Sequence, residues 1–284
     1  MSTPVVDSHL HTWDLERSAY AWLGPQHGEL NRSFPAEEAV AALREAGISA
    51  AVLVQAEDSE ADTESMLAVA RAWDFVVGVV GWVQLDDPDV AASQLRRYRE
   101  HAKFCGVRHL VHDDPRDDFL VLPAVRRSLS LLAENGLSFD VSDAWPRHLA
   151  RVPDLTDALP ELVVVLDHLG KPPRGSADLD EWATGLRSVA ARPNTIAKVS
   201  GLQAPGQPFT VESLHHVWDL ALDCFGPSRL MYGGDWPMTV PAGGYLSHWN
   251  TVRALIDELT PSEQAEILSG TAARTYRLQP RGDE

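Results

Sequence analysis

The stretch Val163-Val164-Val165-Leu166-Asp167-His168-Leu169-Gly170-Lys171-Pro172 decides the fold. Its four apolar residues do not alternate with polar ones, so both faces of the strand are buried. That is the signature of a parallel sheet with helices outside and side chains filling the inside. A polar pair then ends the run, and Gly170 and Pro172 break it. Seven other short runs have the same form: Val5-Val6-Asp7, Ala51-Val52-Leu53-Val54-Gln55, 76–83, 107–111, 137–141, 195–199 and Leu230-Met231-Tyr232. After the first, their ends lie roughly 30 residues apart, the size of one βα unit. The first interval is longer because a loop rich in Trp, Gly and Pro, 13–32, intervenes.

Helical patterns fill the gaps. Pro35 opens 36–43 with Glu37 and Glu38 in the first turn, and Gly47 follows as a stop, as the helix dipole and cap preferences favour. Others are 59–72, 89–101, 122–135 before Gly136, 179–191, 211–225 before Gly226, and 247–259. The weakest is 146–159, interrupted by Pro153, and a closing helix over 262–269 is expected to pack across one end. Eight such units without a composition break predict a single (β/α)8 TIM-type barrel over 1–284, with a C-terminal helical extension. The alternative, a doubly wound open sheet, calls for a glycine-rich phosphate loop after the first strand. Histidines stand there instead.

Charge and composition narrow the function. The chain has 284 residues with 41 acidic and 24 basic side chains, a formal charge of −17. It carries no clustered basic face of the kind that nucleic acid or an anionic membrane surface requires. Its start, Met1-Ser2-Thr3-Pro4, has no secretory pattern, and the longest mostly apolar stretch, 75–83, is too short to span a membrane. A cytoplasmic location is the expectation. Cys105 and Cys224 lack metal-type spacing and read as reduced core residues.

In a barrel the chemistry collects where strands end, at the C-terminal mouth. The first strand offers His9 and His11, which share a side if the chain stays extended. The sixth offers His168, and the eighth Asp235, in Gly233-Gly234-Asp235-Trp236-Pro237. Eleven histidines would yield a chance His-x-His pair about 0.4 times per chain, so the position of the pair carries the argument. Three imidazoles and one carboxylate suit Zn²⁺ or a similar divalent ion. The pair His215-His216 lies in a helical pattern, and His27, His101, His148 and His248 read as bland; His109 and His112 are less clear.

These motifs, with Gly106-Val107-Arg108-His109 and Lys198-Val199-Ser200-Gly201-Leu202, resemble the amidohydrolase superfamily. Within it they look like the lactonase branch that opens sugar-acid lactones, fuconolactonase- and rhamnonolactonase-like, and pyrone-dicarboxylate lactones. The resemblance spans Val5 to about Tyr276 and keeps the family order. It implies His9, His11, His168 and Asp235 as metal site, with Asp235 and His168 catalytic and Asp235 activating water. It also places Arg108, Lys171 and Lys198 around the substrate's oxygens. The fifth strand departs from the pattern, ending near Asp140 and Asp143 where binuclear members have a histidine, and the fourth offers no bridging lysine. One ion, zinc first, or none, is therefore implied.

Trp13, Trp22, Trp82, Trp145 and Trp236 are candidates to wall the pocket, Trp236 first because it adjoins Asp235. The leading expectation is a hydrolase acting on a small-molecule lactone, with Asp235 as general base. Alternatives are a metal-dependent decarboxylase of an unsaturated or aromatic acid, and a non-catalytic sugar-acid binder. A homo-oligomer stays open, and specificity is expected to lie in the loops 13–32 and 201–210.

Overall fold

The computed structural model of the chain describes residues 5–279; the N-terminal tetrapeptide lies outside them, as do 280–284. Eight strands run in the order of the sequence and pair in parallel: β1 Val6–Leu10, β2 Ala50–Val54, β3 Val76–Gly81, β4 Phe104–His109, β5 Ser138–Val141, β6 Val164–Leu166, β7 Thr195–Val199 and β8 Leu230–Tyr232. Helices α1 Ala36–Glu45, α2 Glu60–Ala72, α3 Pro88–Tyr98, α4 Pro123–Glu134, α5 Val152–Ala158, α6 Leu179–Ala190, α7 Val211–Phe225 and α8 Gly244–Ile256 alternate with them. The result is the expected (β/α)8 barrel.

Local chemistry accounts for the helix starts. Ser59 accepts from the Asp62 amide, Asp87 from Asp89 and Val90, and Thr210 forms a capping box with Ser213. Helix α5 is short, as Pro153 foretold, because proline is tolerated only in a first turn.

Two features position the site. First, β1 runs three residues beyond its apolar start, so His9 lies within a strand and His11 just past its end. Second, the barrel closes beyond β8. Trp236 bridges to Leu10, the His11 amide donates to Trp236 O at 2.8 Å, and the Asp235 amide donates to His9 O at 2.7 Å. Asp7 reinforces this closure, accepting from the amides of Gly234 and His9 and from the Tyr245 hydroxyl. Gly233 and Gly234 are required here: a Cβ on Gly233 would press on His9 and Ser200, and one on Gly234 on Tyr245 and Asp7. The seam that completes the cylinder therefore also carries Asp235.

The opposite end is covered by the C-terminal segment. Helices α9 Pro261–Ala265 and α10 Thr271–Thr275 flank a wider helical turn, Glu266–Gly270. Ala272 and Tyr276 join Val52, Val54, Val80, Cys105, Val165 and Met231 in an apolar cluster inside the barrel. The Tyr276 hydroxyl reaches up to Asp140 at 2.7 Å. Both cysteines are free thiols, Cys105 buried and Cys224 half-buried.

Candidate active site

Four side chains from β1 and from the segments after β6 and β8 converge at the C-terminal mouth. His9 Nε2 lies 3.2 Å from His11 Nε2, and Asp235 Oδ1 lies 3.8 Å and 3.5 Å from them. The His168 ring centres 4.5 Å from that of His9. A tetrahedral ion with ligand bonds of about 2.0–2.2 Å needs ligand atoms about 3.3–3.6 Å apart, so His9, His11 and Asp235 stand close to a ligating spacing. His11 Nδ1 faces Val54 O at 2.8 Å, which fixes the proton there and leaves Nε2 its lone pair. His168 Nδ1 bonds Ser200 Oγ at 2.9 Å, leaving Nε2 toward the site. Residues His9, Asp167 and His168 form a second close trio. Its carboxylate is already engaged, 2.9 Å from Arg108 Nε and 3.0 Å from Lys198 Nζ, which leaves the first trio as the one that fits an ion.

Backbone strain gathers at this mouth. Asp143, His168, Lys171 and Asp235, each following a strand end, have φ of 34°, 56°, 64° and 51°. Left-handed non-glycine residues are rare and cluster where surrounding structure holds a functional geometry. Gly201, at φ 56°, lies against the His168 ring, and a Cβ there would overlap it.

Electrostatics separate the acids from the imidazoles. Burial would raise the Asp235 carboxyl, but His168, His11 and His9 around it outweigh that and hold it far below the usual carboxylate range. Burial lowers both His9 and His168, which keeps them neutral and ligand-ready. Asp143 is likewise held low, because Lys171, His168, His112 and Arg108 overcome its burial.

A cavity of about 250 Å³ opens above these groups, lined by His11, His168, Asp235, Arg108, Lys171 and Asp143 among others. That is a little below the range typical of drug-sized ligands, about 300–1,000 Å³, and suits a small molecule. Trp13 and Trp22 wall it; Trp82, Trp145 and Trp236 do not. Two expectations need correction. Lys198 does not reach the cavity: it is fully buried, with Nζ 2.7 Å from Asp140, 3.0 Å from Asp167 and 3.1 Å from His9 Nδ1. Asp140 and Asp167, both buried, hold the lysine beneath the site, where its charge offsets theirs. Trp236 is buried too, with its ring edge-on to Phe34 at 5.4 Å, and contributes through its backbone.

Other lining residues gave little sign in sequence. His27 lines the cavity, its Nδ1 accepting from the Gly24 amide so that Nε2 carries the proton. Only its place in the 13–32 loop hinted at this. His112 lines the cavity as well, bonded to Ser142 Oγ. His109 does not; it is clamped between Asp58 and Asp114, each 3.1 Å away, and stacks on Phe119. Arg108 is half committed, since Nη1 donates to Gln55 O at 2.8 Å and Nε faces Asp167. Among the described residues, no helix is long and apolar enough to cross a membrane.

Comparison with known proteins agrees with this geometry. A chain named L-fucono-1,5-lactonase from Burkholderia ambifaria is 30% identical over 287 residues, covering 98% of each chain. One of the same name from Burkholderia multivorans is 30% identical, covering 98% of this chain and 97% of that one. A crystal structure of a Burkholderia multivorans amidohydrolase with bound zinc superposes with a TM-score of 0.86 at 30% identity, over 97% of this chain and 100% of that one. The amidohydrolase family model matches residues 6–278, and with the mouth-end histidines and aspartate in place, the chain belongs to the amidohydrolase family.

Proposed function

We propose that the chain hydrolyses a sugar-acid lactone, with a six-membered 1,5-lactone as the first candidate. In this reading Asp235 is the base for the attacking water, and one divalent ion, zinc first, is held by His9, His11 and Asp235 with His168 beside them. The observation that carries the reading is the convergence of these four groups on a small cavity walled by Trp13 and Trp22. It is supported by full-length relatives named for lactone hydrolysis.

The chemistry follows from the residues. Trp22, backed edge-on by the buried Trp13, offers its ring to a sugar. An ionised Asp235 accepts a hydrogen bond from water and takes its proton as the oxygen attacks the lactone carbonyl. Arg108 and Lys171 present N–H donors to the carbonyl oxygen as it gains negative charge. When the ring C–O bond breaks, the proton passes from Asp235 to the departing ring oxygen, giving the open hydroxy acid. A bound divalent ion would lower the pKa of its water to about 7 and polarise the carbonyl. That help matters because a carboxylate held as low as Asp235 is a weak proton acceptor.

The test is an aldonolactone panel followed by acid release in a pH-indicator assay. Asp235→Asn should lose at least about a hundredfold in kcat with the fold intact. Near-normal hydrolysis by that variant, or none by the parent, overturns the reading. Release of carbon dioxide from unsaturated or aromatic acids, without lactone opening, would replace it with a decarboxylase.

A further inference from the structure

We propose that Asp143 is the acceptor for substrate hydroxyls in this cavity, and that with Lys171 it selects uncharged, polyhydroxylated lactones. The inference rests on the lactone-hydrolase reading above and names what the site recognises beyond the reacting ester.

Asp143 follows β5 by two residues and lines the cavity. Its Oδ1 is buried yet has no hydrogen-bond partner. Two groups flank the carboxylate without bonding it: the Lys171 ammonium, with Nζ 3.8 Å from Oδ2, and the neutral His168 imidazole, with Nε2 3.9 Å from Oδ1. A buried carboxylate oxygen left without a donor is costly, and buried polar groups in folded proteins nearly always find one. A molecule entering the cavity that Asp143 lines can supply that donor.

The geometry specifies that donor. An ionised carboxylate only accepts and an ammonium only donates. A hydroxyl does both. Lys171 Nζ and Asp143 Oδ2, 3.8 Å apart, are too far for a direct hydrogen bond, yet one hydroxyl oxygen fits within about 2.8 Å of each, and a hydroxyl on the adjacent carbon can donate to Oδ1. Lys171 is steadied for this by donating to Gly201 O at 3.1 Å.

Charge excludes the other lactone class. Asp113, Asp143 and Asp235 line the cavity against Lys171 and an Arg108 already facing Asp167. A dicarboxylate lactone would set two further negative charges against three lining acids and only two lining cations, in a protein of charge −17. A neutral polyol lactone fills the same acceptor without that repulsion.

The experiment compares two probes, L-fucono-1,5-lactone, which carries ring hydroxyls, and δ-valerolactone, the unsubstituted six-membered ring. Parent protein, Asp143→Gly and Asp143→Asn are assayed on both. Glycine tolerates the left-handed backbone at this position, and equal melting temperatures check the fold. In Asp143→Gly the ratio of kcat/KM for the hydroxylated lactone over that for δ-valerolactone should fall at least about tenfold, mostly through KM, as expected for losing a hydrogen bond to a charged group. Asp143→Asn, which keeps one acceptor oxygen, should recover part of the ratio. An unchanged ratio, or a parallel loss on both lactones, overturns the inference and leaves the hydrolase reading standing. Failure of the parent protein to open either lactone overturns both.

Discussion

Lys198→Met should expose what the buried lysine does. The ammonium lies 2.7 Å from Asp140 and 3.0 Å from Asp167, all three side chains fully buried. Two carboxylates hold it charged against its burial. Asp167 keeps Arg108 as a second cation and stays well below the usual range, whereas Asp140, among the described residues, has only hydroxyl donors besides the lysine and is pushed up by burial. Without Lys198, Asp140 must take up a proton in the folded state. Protonating a carboxyl of ordinary pKa 3.8 at pH 7 costs about 1.36 × 3.2, or roughly 4 kcal/mol. This agrees with the ~3–5 kcal/mol lost when one partner of a buried ion pair is removed. For 284 residues the unfolding entropy is about 0.6 kcal/mol per degree, so Tm should fall by roughly 7 °C. The sign with pH is fixed. A carboxyl whose folded pKa is raised loses stability as pH climbs above its unfolded value, so the deficit should shrink to about 1.6 kcal/mol at pH 5. Urea unfolding followed by tryptophan fluorescence at both pH values reads this directly. The double variant Lys198→Met/Asp140→Asn should recover most of the loss and flatten its pH dependence. A deficit under about 1 kcal/mol that does not change with pH would refute the reasoning.

Three further outcomes are expected. His248 is buried beneath the closure, accepting from Gln203 and facing Gly233 O, and burial pushes it down from 6.5 to about 4. Its neutral form is the folded one, so it contributes stability above pH 6.5 that is lost as pH falls toward 4, up to about 3 kcal/mol. In paired urea titrations His248→Phe should lack that slope, and an identical slope would refute the assignment. Gly201→Ala should push the His168 ring out of place and strain the backbone at φ 56°; kcat should drop at least about tenfold for a stability loss near 1–2 kcal/mol, and unchanged kcat/KM would count against it. Calorimetric titration of chelator-treated protein should find one zinc ion per chain, and His11→Ala should abolish that binding; two ions, or undiminished binding in the variant, would contradict the ligand trio.

The barrel was legible because its signal is local. Val163-Val164-Val165-Leu166, short and β-branched with Gly170 and Pro172 after it, reads as a strand buried on both faces, and three of the barrel helices start on a side-chain cap, Ser59, Asp87 or Thr210. His9, His11, His168 and Asp235 were legible through the same rule, since strand order in a barrel carries each strand's end to one mouth. Lys198 was misplaced because its role depends on Asp140 and Asp167, 58 and 31 residues away, and nothing near it in sequence distinguishes a buried counter-ion from a substrate ligand. The face of β7 on which it sits decides the matter: the alternation that turns Ala197 and Val199 into the surrounding core turns Lys198 inward, below His9. Trp236 was misplaced for a related reason. Its neighbour Asp235 takes the cavity side of a segment that must also close the cylinder by pairing its backbone with β1, so the indole is left to pack on Phe34. Charge at the floor and closure at the seam thus compete with substrate contact for the residues beside the reacting groups, and the cavity wall is left to Asp143, Lys171, His27 and the two tryptophans of the long first loop.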